Sequence, residues 1–280
     1  MNVPARFLAC ITFAVLCVAA CSGGHSVADE LKVVPGLCFL HAHISEEMDV
    51  SLIPGSAGDL FPVWLVDSLH ARGGFGVSLL GVNLTDLSPQ LLFLSRRVDA
   101  REMAAIAGSG FGGRIRETET GYDLVDSRGS ILGSVAERDG WACLVTGSGA
   151  DRSASRWLSM DASQSLAADS DLVSISQSEA DLTVLASRNS IGFLSVIPTG
   201  MLTRQQNSYL NFARNFIADL GLRAAGLYMD VTDDRPGRLT VELRMVREGG
   251  YITSLSAGFS DTGIPPDSAI AYLAEFYGLE

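Results

Sequence analysis

Hydrophobic and polar positions alternate from Gly36 to Ile44, which predicts a strand. Cys38, Leu40, Ala42 and Ile44 share its core face, with Phe39, His41 and His43 on the less buried side. From Phe61 to Ala71 the period changes, because Phe61, Trp64, Leu65 and Leu69 fall at helical spacing before Gly73-Gly74. Gly76 to Leu84 and Leu91 to Arg97 read as strands joined across a turn-rich link, and Asp99 with Glu102 is a capping-box pattern opening a helix through Ala107. Gly108-Ser109-Gly110-Phe111-Gly112-Gly113 stops that helix.

Four short alternating strands follow from Arg114 to Thr146, split at Glu119-Thr120-Gly121, Ser127-Arg128-Gly129 and Asp139-Gly140. They predict a β-meander. Ser153 to Met160 reads as a short helix, Leu166 to Ile175 fits helix or strand, and Leu182 to Ala186 resumes as a strand before an apolar run at Ile191–Ile197. The clearest helix runs from Thr203 to Leu220, with Tyr209, Phe212, Ala213, Phe216, Ile217 and Leu220 on one stripe and Gly221 closing it. Strands are expected at Ala224–Val231 and Leu239–Val246, and Pro265-Pro266-Asp267 opens a final helix.

The two ends of the chain match each other. A shift of 147 residues lays Gly74–Arg97 over Gly221–Arg244 without a gap and makes seven of 24 positions identical, among them Thr85/Thr232, Pro89/Pro236 and Arg97/Arg244. The expected fold is therefore α+β. It is an internal duplication of a strand-helix-hairpin-helix unit, with the antiparallel β-meander inserted between the copies. The corresponding boundaries are 32–110 for the first repeat, 111–179 for the inserted meander and helix, and 180–280 for the second repeat.

The first residues follow a different rule. Arg6 is the only charge before residue 25, and Phe7 to Ala20 is an apolar run of 14 residues. As helix that run reaches roughly 21 Å, short of the ~30 Å hydrocarbon core, so it reads as a signal peptide spanning 1–20. Val18-Ala19-Ala20-Cys21, followed by Ser22-Gly23-Gly24, resembles the lipobox of bacterial lipoproteins. The resemblance implies a diacylglyceryl group on Cys21, usually with an N-acyl chain such as palmitate. It also implies a cell-envelope location, and the serine after the cysteine implies the outer membrane. Residues 21–31 would then be a small, polar tether.

Composition narrows the function classes. The chain of 280 residues carries 20 Lys and Arg against 32 Asp and Glu, a net charge of −12, and removing 1–20 takes away only Arg6. Such a domain repels phosphate backbones, so nucleic acid is not an expected partner. A hydrophobic content of 47% argues for a packed core. After Cys21 two cysteines remain, Cys38 and Cys143, and export would allow them to form a disulfide.

His41 and His43 are the candidate metal pair, since residues two apart in a strand share a face. A His-x-His at the end of a first strand resembles the amidohydrolase barrels, but those need further histidines downstream and this chain has none after His70. No metal or other cofactor is expected, and the pair reads as two polar residues on the less buried face of the strand. The glycines at 108–113 follow a helix rather than a strand, the reverse of a dinucleotide fingerprint. Gly147-Ser148-Gly149-Ala150-Asp151 has the order of an anion-binding loop without its Gly-Lys-Ser/Thr, which leaves a helix N-cap at Asp151. No Gly-x-Ser-x-Gly is present, and Asp99 and Asp233-Asp234 fit turn chemistry. With no catalytic constellation, the expectation is a non-enzymatic, membrane-anchored lipoprotein that binds an envelope partner or scaffolds an assembly. The alternative is a lipoprotein holding a small apolar ligand between its repeats.

Overall fold

The alternating segments pair into one sheet. A computed structural model describes residues 26–46, 63–83, 88–176, 180–196, 204–232, 238–250 and 252–260. Among these, eleven strands are β1 (Leu40–Ile44), β2 (Phe75–Val82), β3 (Pro89–Ser95), β4 (Arg114–Thr118), β5 (Gly121–Val125), β6 (Ile131–Arg138), β7 (Trp141–Thr146), β8 (Leu182–Ala186), β9 (Leu222–Thr232), β10 (Arg238–Arg247) and β11 (Ile252–Ser260). Their order is β11-β10-β9-β8-β1-β2-β3-β7-β6-β5-β4. Every neighbouring pair is antiparallel.

Seven helices among the described residues accompany it: α1 (Val27–Leu31), α2 (Val63–His70), α3 (Ala100–Phe111), α4 (Ala150–Ser159), α5 (Ser170–Ile175), α6 (Arg188–Val196) and α7 (Arg204–Leu220). On one face of the sheet, Ala42, Phe75, Val77, Phe93 and Leu144 pack under Leu65 and Leu69 of α2 and Met103 and Ala107 of α3. On the other, Leu92, Leu94, Val145 and Tyr228 pack under Val27 and Leu31 of α1, Trp157 of α4 and Ile175 of α5. The middle of the sheet is thus buried on both sides. Trp157 is 1% exposed and donates its indole N–H to the Val33 carbonyl at 2.6 Å, so its one polar atom is satisfied inside the core.

The meander forms as the turn signals predict. At the β6–β7 turn, Asp139 and Gly140 have φ of 54° and 75°, the two left-handed residues that a tight hairpin matched to strand twist requires. The meander does not stand apart from the rest, because β7 pairs with β3 and extends the same sheet. Asp99 caps α3 by accepting from the Glu102 N–H at 2.7 Å, again as expected.

Other boundaries differ from the sequence expectation. Helix α3 runs through Gly108 and Gly110 and stops at Gly112, which is left-handed with φ 65°. The earlier glycines serve close approach: a Cβ on Gly110 would overlap the Trp64 ring, which packs edge-on against Phe111 at 5.1 Å. Helix α4 begins three residues before the expected Ser153, with Gly149 as its N-cap, so Asp151 lies in the first turn instead of capping it. Leu166 to Ile175 resolves into a 3-10 turn (Leu166–Ala168) and α5, capped by Asp169. The apolar run after β8 belongs to a helix, α6. β11 occupies a stretch for which no element was expected. The final helix opened by Pro265 lies outside the described residues.

The gap-free repeat register does not hold. It requires Gly226 opposite Arg238, as Leu79 stands opposite Leu91, but Gly226 pairs with Arg244. The hairpins close at Val82↔Pro89 and Thr232↔Arg238, leaving six and five residues between them. Asn83 therefore lies beyond the end of β2, whereas Asp230, its counterpart at that shift, lies inside β9. The strand order nevertheless places β1-β2-β3 and β8-β9-β10 back to back, with β1 and β8 antiparallel and Ala42 opposite Val184. Row Leu40–Leu79–Leu91 corresponds by position to row Leu182–Met229–Val241, with the same 12-residue step through each hairpin.

Candidate functional site

Central placement in the sheet decides the fate of the histidine pair. β1 is the fifth strand from the β11 edge, and both of its faces are covered. His41 is 0% exposed and His43 5%, so the expectation that theirs is the less buried face is overturned. The alternation Leu40-His41-Ala42-His43-Ile44 is the pattern of a half-solvated strand. Here helix α1 lies where solvent was expected.

That helix supplies the counter-charge. Ser26 caps α1 by accepting from the Asp29 N–H, while Val27 and Leu31, one turn apart, face the core and bring Glu30 with them. The Glu30 carboxylate is fully buried, 2.8 Å from His41 Nε2 through one oxygen and 3.0 Å from His43 Nδ1 through the other. His41 Nδ1 is 3.0 Å from the Ser78 hydroxyl, its cross-strand neighbour on β2. Gly76 opposite His43 is also required, since a Cβ there would collide with the Glu30 carboxylate. Burial pulls the His43 imidazole down, but the charge and hydrogen bond of Glu30 outweigh it and leave His43 above its ordinary value.

This geometry does not fit a metal centre. Both ring nitrogens of His41 are engaged, and the carboxylate lies at hydrogen-bond distance from each imidazole. Among the described residues no group of three His, Cys, Asp or Glu side chains is arranged to hold a metal ion. The sequence expectation places Glu30 in the 21–31 tether. The signal that finds Glu30 is Ser26-x-x-Asp29 followed by the apolar Leu31, Val33 and Val34, a capped helix leading into core.

The remaining sequence candidates separate. Cys21 and its lipobox lie outside the described residues. Cys38 and Cys143 are free and buried. Cys143 is on β7, and β7 is separated from β1, which Cys38 precedes, by β2 and β3. Three strand spacings are roughly 14 Å, about twice the reach of a disulfide, so the pairing is not made. Burial, partly offset by a backbone hydrogen bond from Ala136, pushes the Cys143 thiol up to about 12. Burial alone raises Cys38 above its usual range.

A second site has no counterpart among the sequence candidates. A groove of about 1090 Å³ opens between the first and second halves of the fold. Phe39 and Leu80 line it from the β1–β2 side. Phe193 of α6 and Ile217 of α7 line it from the other, with the Phe39 and Phe193 rings stacked at 4.3 Å and 30°. Leu37, 70% exposed, forms its lip. Arg156, Arg188, Arg214 and Arg223 also line it, against one acid, Glu248. Arg223 is paired with Asp171 at 2.7 Å.

Compared with protein-family models, with curated proteins and with solved structures, the chain matches none.

Proposed function

We propose that this chain is a lipid-anchored, non-enzymatic protein of the cell envelope that binds a small molecule with an apolar body in the groove between its halves. The observation that carries the reading is the groove itself. Its volume of about 1090 Å³ slightly exceeds the ~300–1,000 Å³ of small-molecule sites, and its walls come from both halves. This was the weaker of the two expectations from sequence. It now outranks docking of an envelope protein, because Leu37 and Ile115 are the large exposed hydrophobics among the described residues and Leu37 belongs to the groove. Two separated side chains do not make a wide apolar docking patch.

A non-enzymatic role is supported by the Glu30–His41–His43 cluster, which is sealed from solvent and cannot meet a substrate. The corresponding rows of β1-β2-β3 and β8-β9-β10 support a duplication about the β1–β8 pair, with hairpin positions 150 apart rather than 147. The anchor rests on Val18–Cys21. Since Ser26 already caps α1, only five peptide steps separate Cys21 from the fold. Fully extended they span at most ~18 Å, which would hold the body close to the outer membrane.

The test uses the full chain purified from membranes, with native mass spectrometry to detect a bound small molecule. Gly192→Trp is the blocking variant: Gly192 lines the groove, is exposed, and a Cβ there meets no atom within 4 Å. A small molecule carried by the wild type and absent from Gly192→Trp is the expected result. A wild type that carries none, or a variant that carries it equally, would refute the groove as the binding site.

A further inference from the structure

We infer that the groove selects a single-chain amphiphile with a negatively charged head, a fatty-acid-like molecule, its acid group meeting Arg156 and Arg188 and its chain lying on Phe39 and Phe193. The inference rests on the proposed binding function and adds the chemistry of the ligand.

Charge is the first observation. The chain as a whole carries an excess of 12 negative charges, yet the groove is lined by four arginines and one glutamate. Arg223 is neutralised by Asp171. Arg156 and Arg188 have no acidic partner among the described residues, and both side chains are exposed. Uncompensated guanidinium groups beside a concave surface attract an anion, and their planar donor pairs match a carboxylate or phosphate head.

Apolar surface is the second. Phe39, Leu80, Phe193 and Ile217 form an apolar run beside those arginines, and Leu37 leaves an aliphatic side chain in water at the lip. A small inorganic anion would use the arginines and leave that surface wet. A neutral hydrocarbon would cover it and leave the charges without a partner. A molecule with an acid head and a hydrocarbon tail satisfies both. It is a chemistry available at a membrane surface, where the anchor would hold the protein.

The test titrates dansyl-labelled undecanoic acid into the full, lipid-anchored chain in nanodiscs, with protein-free nanodiscs as blank. Blue-shifted dansyl emission reports entry into the groove, and dodecanoate, dodecanol and inorganic phosphate serve as competitors. The expected result is saturable binding that dodecanoate displaces at least about tenfold better than dodecanol, and that phosphate does not displace at comparable concentration. Arg156→Ala with Arg188→Ala should weaken the acid about tenfold and leave dodecanol unchanged, and Gly192→Trp should abolish both. Equal displacement by dodecanol and dodecanoate overturns the inference while leaving the apolar groove as a binding site. Displacement by phosphate alone overturns it in favour of a simple anion site. Absence of any saturable binding removes the inference and the proposed function together.

Discussion

Removing the Glu30 side chain isolates the largest single electrostatic commitment in the core. Its carboxylate and both imidazoles are almost completely buried, and three hydrogen bonds join Glu30, His41, His43 and Ser78. Glu30→Ala would leave two buried imidazoles without their acceptor, and breaking a buried pair from one side costs about 3–5 kcal/mol. With a urea slope of about 2–3 kcal/mol per M for a domain of this size, the midpoint should fall by about 1–2 M. Trp141 and Trp157, each 1% exposed, make unfolding visible by fluorescence.

The charge contribution has its own signature. Because His43 is raised in the folded chain, its stabilisation is fully present below its unfolded value of about 6.5 and is lost as pH rises through the folded value. Wild-type stability should therefore decline as pH rises above the unfolded value of about 6.5. Glu30→Gln, which keeps the shape but not the charge, should flatten that decline. A Glu30→Ala cost within the ~0.5 kcal/mol typical of surface changes, or an unchanged pH slope in Glu30→Gln, would place Glu30 in solvent and refute the buried clamp.

Three further outcomes are expected. Cys21→Ala should leave the precursor uncut and free of labelled fatty acid, and label still incorporated in that variant would remove the anchor. Gly110→Ala should destabilise the chain by about 1–3 kcal/mol through displacement of Trp64, measured as a lowered urea midpoint with unchanged slope. Cys38 and Cys143 should resist alkylation at neutral pH until the chain unfolds and then both react; a disulfide-linked peptide in the native digest would contradict their separation in the sheet.

The sequence showed most clearly what is local. Asp99 with Glu102, Asp139-Gly140, and the alternation between Arg114 and Thr146 each determine their own few residues, and α3, the β6–β7 turn and the meander formed where those patterns stood. What it concealed depends on contacts between separate elements. Whether His41 meets water or Glu30 turns on α1 covering that face of β1, and the alternation within β1 is identical in either case. The repeat shows a related limit. The hairpins close at Val82↔Pro89 and Thr232↔Arg238 and so take different registers, and the gap-free match aligned Asn83, beyond β2, with Asp230, inside β9. The groove left no motif because its walls come from residues as distant as Leu37 and Glu248.

How the fold disposes of its charges gives the groove its meaning. Opposite charges meet at several places in the fold: Glu30 with two histidines, Asp123 with Arg116 at 2.6 Å, and Glu242 with Arg244, whose guanidinium also lies 4.5 Å above the Tyr228 ring. Leaving a half-buried arginine without a partner is costly, and these strands avoid it. Arg156 and Arg188, both exposed and without an acidic partner among the described residues, line the same groove as Phe39, Phe193 and the exposed Leu37. On the proposed reading, guanidinium groups and apolar surface side by side in one concavity of an acidic chain fit a ligand with an acid at one end and hydrocarbon at the other.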